Sequence, residues 1–444
     1  MQKSNPQLYI KLAAIFIIGL LLMVPATLIH QLINERESTR QQAIGEINQI
    51  WGRAQTLEGP VVTIPYTRYL VQYADEGEKR APIVEHAHLL PTHLKITGDI
   101  RPEFRYRGIY EVVVYQAHLH ISGQFSAPDL AALGVLPDQA DWDKAYLTVG
   151  VSDLRGIEQQ VRLHWEGDTT LFNPGVRSQD VISSGIHAPV RLRSDGQGAY
   201  TFALELDLKG SESLFFTPVG QTTDVAITSA WANPSFTGAF LPDERQVADT
   251  GFVARWNVLH LNRNYPQGWI EDQHNLQGSI FGINLLLPVD NYQKSYRAVR
   301  YAILFIGFTF VAFFFIEVLR KVFVHPIQYL LVGAALVVFY VLLLSLSEYV
   351  SFNIAFAVAA GATLALITGY VSAFLKSPVL TMLIAGLLLI LYTFNFVIIQ
   401  LQDTALLIGS IGVFLILGLV MYFSRKIDWY AISLNRDQDP SPGA

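Results

Sequence analysis

The 444-residue chain has no cysteine. No disulfide can staple an exported part of it, and no paired C-x-x-C metal or redox site can form. Charge is scarce too: Asp, Glu, Lys and Arg make up 15% of the residues against 51% hydrophobic, on the apolar side for a soluble domain. Motifs that carry chemistry through fixed spacing are also missing, with no G-x-S-x-G elbow, H-E-x-x-H, Walker loop or EF-hand loop.

Long apolar runs are what the chain does have. One spans Leu8–Ile29, and five more lie near Val299–Val318, Ile327–Leu346, Phe352–Leu375, Val379–Leu401 and Ala405–Phe423. Each holds the roughly 20 apolar residues needed to cross a ~30 Å hydrocarbon layer as a helix. Val24-Pro25-Ala26 offers small residues at a signal-peptidase site, but apolar character runs on through Leu28 and Ile29, so an uncleaved anchor is expected. Basic residues near the ends of spans set orientation. Lys3, Lys11, Arg320, Lys321, Lys376, Arg425 and Lys426 all fall on one side if the spans alternate, while the short loops opposite hold Glu348 and Asp403. The expected topology is multi-pass, with both termini cytoplasmic and one large domain outside.

The expected division is 1–7 cytoplasmic, 8–29 anchor, 30–298 extracytoplasmic, 299–423 a five-helix bundle and 424–444 a cytoplasmic tail. The cytoplasmic pieces are far below the ~40–50 residues of a self-standing domain, so no kinase or DNA-binding output fits there. Between His30 and Arg297 there are 22 basic and 31 acidic residues, a local net charge of −9. Such a surface does not attract nucleic acid.

Within 30–298, Gln31–Thr56 has apolar residues at three- and four-residue spacing (Ala43, Ile44, Ile47, Ile50, Trp51, Ala54), which predicts a helix packed on the domain's own sheet. From Gly59 the period becomes two. Segments such as Ile109–Ile121, Tyr200–Leu208 and Phe252–Leu261 are rich in Val, Ile, Tyr, Phe and Thr, with turns at Asp75-Glu76-Gly77, Gly167-Asp168 and Asp195-Gly196. The pattern predicts a mainly β, sandwich-like domain whose two ends lie close together.

The candidate residues are few. His86 and His88, and His118 and His120, are two apart, so each pair projects from one face of a strand, and four imidazoles would meet only if the two strands were neighbours. The plainer reading is a solvated strand face, and no metal, cofactor or catalytic residue is assigned. Asp141 and Asp143 read as a polar turn, and Ser183-Ser184 with His187 is too local for a triad. Inside the spans Thr363, Thr368, Tyr392, Thr393, Asn395 and Ser410 read as interhelical hydrogen bonds, and Gly361, Ala365 and Gly369 as a close helix contact. No ionisable residue sits mid-span, which counts against an ion-coupled transporter. Glu348 and Asp403 are expected to help dock the domain on the bundle by pairing with Lys294 or Arg297. Phe236 and Phe240, between Pro234 and Pro242, either pin a loop to the core or present it to a partner.

Several stretches resemble the CreD family of bacterial inner-membrane proteins. They include Trp231 with Pro234-Ser235-Phe236, Gly238 and Phe240-Leu241-Pro242, then Gly251-Phe252 and Trp256. Gly59-Pro60, Ser152-Asp153 with Arg155-Gly156-Ile157, His325-Pro326, Ser347-Glu348 and Ile427-Asp428-Trp429-Tyr430 belong to the same likeness. The resemblance covers nearly the whole chain in the same one-plus-five order. It implies an inner-membrane protein tied to cell-envelope integrity and a stress-responsive regulon, with no functional residue to carry over. The expected function is therefore non-enzymatic support of the envelope, with the lipid bilayer and other envelope proteins as partners. A transporter or lipid-handling protein and a membrane hydrolase are the alternatives.

Overall fold

The computed structural model describes residues 6–74, 77–193, 198–285, 291–320, 322–401 and 404–425. Lys3, Asp75-Glu76, Asp195-Gly196, Lys321, Asp403, Lys426 and the Ile427–Tyr430 motif lie outside the described residues. The chain forms two units, one of residues 1–40 and 289–444 and the other of residues 41–288.

The first helix, α1, runs unbroken over Pro6–Trp51, where an anchor followed by a separate amphipathic helix was expected. No Gly or Pro lies between Gln31 and Ile44, and Glu, Arg and Gln there are good helix formers. It stops at Gly52, whose φ of +141° is open to glycine. In the other unit it is followed by two mixed sheets.

The first sheet has nine strands. Across it run Pro234–Gly238, Phe281–Leu285, Ser213–Phe216, Gln55–Ala74, Tyr146–Val151, Gly185–Pro189 and Asn173–Pro174, with Gly77–Leu89 paired on Gln55–Ala74 and Gly268–Ile270 on Gly77–Leu89. Leu214 is flanked by Gln55 at the entry to the unit and by Ile283 at its exit, so the two ends are close. The second sheet has eight strands, in the order Glu244–Ala248, Gly251–Leu259, Thr222–Ser229, His93–Arg107, Tyr110–Ser126, Ala199–Ser211, Arg162–Trp165 and Asp168–Leu171.

Alternation fills the core between the sheets. Phe252, Ala254, Trp256 and Val258 are buried while Val253, Arg255, Asn257 and Leu259 face out, and Tyr200, Phe202, Leu204, Leu206 and Leu208 repeat the pattern. Both sheets contribute to one continuous apolar cluster, enough to hold a cysteine-free domain of this size. Tyr146–Val151 is buried on both faces. Leu147, Val149 and Val151 enter the core, whereas Tyr146 and Thr148 lie on the other face.

In the helical unit, α2 (Asn291–Arg300) is short and amphipathic, burying Ser295, Ala298 and Val299. Then come α3 (Ala302–Arg320), α4 (Pro326–Ser347), α5 (Phe352–Leu375), α6 (Pro378–Gln400) and α7 (Ala405–Ser424). Together with α1, the five from α3 to α7 are long and apolar enough to cross a membrane. Their outward faces are apolar, most completely on α7, which buries no residue, so they contact the bilayer.

Two expectations about the spans are corrected. A side chain at Gly361 or Gly369 would meet nothing within 4 Å, so that stripe faces outward and makes no helix contact among the described residues. The close approaches are at Gly333, where a Cβ would lie 2.2 Å from Leu22, and at Gly412, 2.1 Å from Phe394. Nor do all the span polar groups bridge helices as expected: the Thr363 and Tyr392 side chains meet between α5 and α6, but Thr393 and Ser410 bond carbonyls of their own helices, and the amide of Asn395 and the hydroxyl of Thr368 are buried without a partner among the described residues.

Candidate functional site

Strand Gly77–Leu89 places His86 and His88 on one face, opposite to Ala87, which enters the core. Register then builds a polar row beside them. His88 stands between Thr63 on one neighbouring strand and Trp269 on the other, and Thr63 stands beside Tyr146. Over this face folds the segment leading into Gly185–Pro189, which brings in Asp180. Its carboxylate Oδ2 lies 3.1 Å from His86 Nδ1 and 3.3 Å from His88 Nε2.

Glu271 arrives from a third direction, just after strand Gly268–Ile270. Its amide donates to the His86 carbonyl at 2.9 Å, and its Oε1 accepts from the His86 amide at 2.5 Å. The residue has φ +53°, a left-handed conformation that costs a non-glycine residue about 1 kcal/mol or more and is kept only where surrounding contacts impose it. Oε1 also lies 3.8 Å from His86 Nδ1.

Electrostatics separate the two histidines. Burial takes the His88 pKa down to about 4, against the opposing pull of Asp180, so the ring is neutral at ordinary pH. The network assigns its proton to Nε2, facing Asp180, and leaves Nδ1 to accept from the Thr63 hydroxyl at 3.0 Å. Burial works against ionisation of Asp180, but hydrogen bonding with Ser178 and the neighbouring His88 and His86 hold its carboxyl below the usual range. Burial, with Asp180 and Glu271 adding to it, pushes the Tyr146 phenol up to about 12.

Thr63, His88 and Asp180 have the order of a hydrolase triad, but Thr63 is 3% exposed and His88 2%. That hydroxyl is shielded from solvent and bonds His88, so the chain of contacts orients Asp180.

Only the H-x-H spacing marked this site in the sequence. Nothing local announced Asp180 or Glu271: Asp180 is 94 residues from His86 along the chain and Glu271 is 185. The other pair, His118 and His120, lies on the second sheet, where His118 pairs with Asp207 at 2.5 Å. The four imidazoles therefore do not meet, because the two strands belong to different sheets. Asp141 pairs with Lys144, Ser184 bonds the Val151 carbonyl and His187 the Gly175 carbonyl.

Phe236 belongs to a strand rather than a loop and packs edge-on against Phe252 and Trp256, while Phe240 packs on Phe281. Because Phe236 is half-buried, Phe236→Ala is expected to lower stability by about 2 kcal/mol, below the cost at a fully buried Phe. A denaturation midpoint unchanged by the substitution would return Phe236 to the surface role.

In the helical unit, Glu348 caps α4 and is 9% exposed. Its carboxylate accepts from the Tyr292 hydroxyl at 3.1 Å and lies 3.7 Å from Arg36 Nε. Arg36 thus takes the place expected for Lys294 or Arg297. Lys294 Nζ is 3.5 Å from the side-chain Oε1 of Gln400, and both it and Arg297 sit on α2 in the same unit as Glu348, which makes them part of the helical unit and not of the β unit.

The chain matches the family model of the inner membrane protein CreD over residues 7–430. It is 33% identical over 432 residues, 96% of this chain and 95% of the relative, to the inner membrane protein CreD of Escherichia coli (strain K12). The chain belongs to the CreD family. Among solved structures, the M1 zinc metallopeptidase from Deinococcus radiodurans is matched over 44% of this chain and 42% of that one, with 9% identity and a TM-score of 0.19, a likeness too small to bear on fold or chemistry.

One of the stretches that resembles the CreD family has a clear structural duty. Asp153 takes a bidentate contact from Arg155 at 2.9 and 2.8 Å, and Arg155 also donates to the Gln49 carbonyl at the end of α1 at 2.7 Å. The Arg155 contact holds the Asp153 carboxyl below its usual range. At Gly156 a Cβ would lie 2.3 Å from the Lys209 carbonyl and 2.5 Å from Gln55 Nε2, so only glycine fits. In this CreD-family chain the segment is a clasp for the start of the first strand.

Proposed function

We propose that this inner membrane protein supports cell-envelope integrity without catalysis, acting through its β unit on the outer side of the membrane. What carries the reading is the placement of the β unit between the first and second spans, with the short basic connections all at the opposite helix ends. Lys11 lies near the start of α1, while Arg320, Lys376 and Arg425 follow or end α3, α5 and α7. Family membership supports the envelope role, and the buried state of Thr63 and His88 counts against hydrolysis.

A reporter active only outside the cytoplasm should be silent when fused after Ala444 and active when inserted near Gly167. An active C-terminal fusion would overturn the orientation. For the role itself, cells lacking the protein should regain resistance to membrane-perturbing detergent when given the full chain, and should not when residues 57–285 are replaced by a flexible linker. Full rescue by that shortened chain would place the function in the helices.

Lipid handling is the second reading, favoured by an apolar groove of about 460 Å³ between α1 and α3, lined by Phe16, Leu20, Ile303, Phe310 and Phe314 among others. It predicts rescue by the shortened chain.

A further inference from the structure

We propose that the β unit holds a divalent transition-metal site made by His86, Asp180 and Glu271, with His88 and Thr63 positioning the aspartate. One nitrogen and two carboxylate oxygens lie within 4.8 Å of one another. A zinc-sized ion about 2.0–2.1 Å from each tetrahedral ligand sets the ligand atoms about 3.4 Å apart. His86 Nδ1 is 3.1 Å from Asp180 Oδ2 and 3.8 Å from Glu271 Oε1, so small side-chain adjustments complete the set. Three protein ligands leave a fourth position for water.

The donor types choose the metal class. An imidazole nitrogen with two carboxylates suits zinc and its first-row neighbours, whereas magnesium and calcium prefer oxygen alone and more ligands.

The arrangement is built rather than incidental. His88 is 2% exposed and spends one nitrogen on Asp180 and the other on Thr63, which is how second partners fix a ligand carboxylate. The Asp180 amide donates to Ser178 Oγ at 3.1 Å. Glu271 is turned back over His86 by a left-handed backbone and by the His86 amide. The three ligand side chains remain 22–37% exposed, so an ion can enter from solvent. The ion would tie the segment that carries Asp180 to the paired strands that carry His86 and lead into Glu271.

The test uses the full chain in detergent, with any affinity tag removed and metal stripped by chelator. Titration with cobalt(II) should give the visible absorption of a four-coordinate ion at one equivalent per chain, and zinc should displace it. Zinc should also raise the melting temperature. Asp180→Asn and Glu271→Gln, which keep side-chain volume, should each weaken cobalt affinity at least tenfold, and His88→Gln about 10–100-fold through the displaced aspartate. All three should melt within a few degrees of the unsubstituted, metal-free chain, which separates lost binding from lost folding. The proposal is overturned if no saturable binding is seen, if Asp180→Asn and Glu271→Gln bind cobalt as tightly as the parent, or if calcium competes at equal concentration.

Discussion

Replacing Glu317 by Leu while keeping Lys11 is expected to destabilise the helical unit by about 3–5 kcal/mol, because it strands a buried ammonium. Lys11 on α1 and Glu317 on α3 are in direct contact, with side chains 13% and 12% exposed. The second Glu317 oxygen accepts from the Tyr329 hydroxyl of α4 at 3.1 Å, and the Lys11 ammonium lies 4.2 Å from the Phe323 ring centre. Lys11→Met should cost a similar amount. The double replacement Lys11→Met with Glu317→Leu should recover most of the loss, since an apolar pair pays no desolvation and a buried ion pair gains little net energy over it. Melting of the detergent-solubilised chain gives the cycle. A double variant as unstable as the sum of the singles would mean that the two groups do not act together.

Gln55→Leu should cost about 3–5 kcal/mol for a different reason. Gln55 is fully buried, and its amide uses every bond it can make. Nε2 donates to the carbonyls of Asp153 and Lys209, both at 3.0 Å, while Oε1 accepts from the Asp153 amide at 3.2 Å and the Ser152 hydroxyl at 3.3 Å. Leucine fills nearly the same space but removes the Gln55 bonds to the Lys209 carbonyl and the Asp153 amide, each worth about 1–3 kcal/mol, and leaves the Asp153 carbonyl with only the Gly156 amide, at 3.1 Å. The loss should appear as a lower melting temperature of the β unit, followed by its near-ultraviolet dichroism, with the helical signal less affected. A change under about 0.5 kcal/mol would show that water replaces the lost bonds.

These two sites differ in how far they could be read in advance. Ser152-Asp153 with Arg155-Gly156 stood out in the sequence only as a likeness. Their duty depends on Gln55 and Lys209, which lie about 100 and 55 residues away along the chain. Lys11 was legible as a topology signal, but its pairing with Glu317 needs the packing of α1 on α3. The H-x-H at His86 pointed to one face of a strand because alternation is a local property of backbone geometry. It did not point to Asp180 or Glu271, because loops and register bring those in. Glu348 was visible as an acid at a span end, while its cation, Arg36, came from α1 and not from α2.

By itself the sequence determined that six apolar stretches are long enough to cross a membrane, that a strand-rich region without disulfides lies between the first and the second, and that the chain resembles one family. Those properties follow from composition, run length and period, each set within a few residues of the chain. Only the tertiary structure decided that α1 continues unbroken to Trp51, that the two histidine pairs belong to different sheets, and that one imidazole shares a carboxylate with its neighbour beside a left-handed glutamate. Such contacts join residues that no local pattern relates, because strand pairing and helix packing are selected by the burial of whole faces at once.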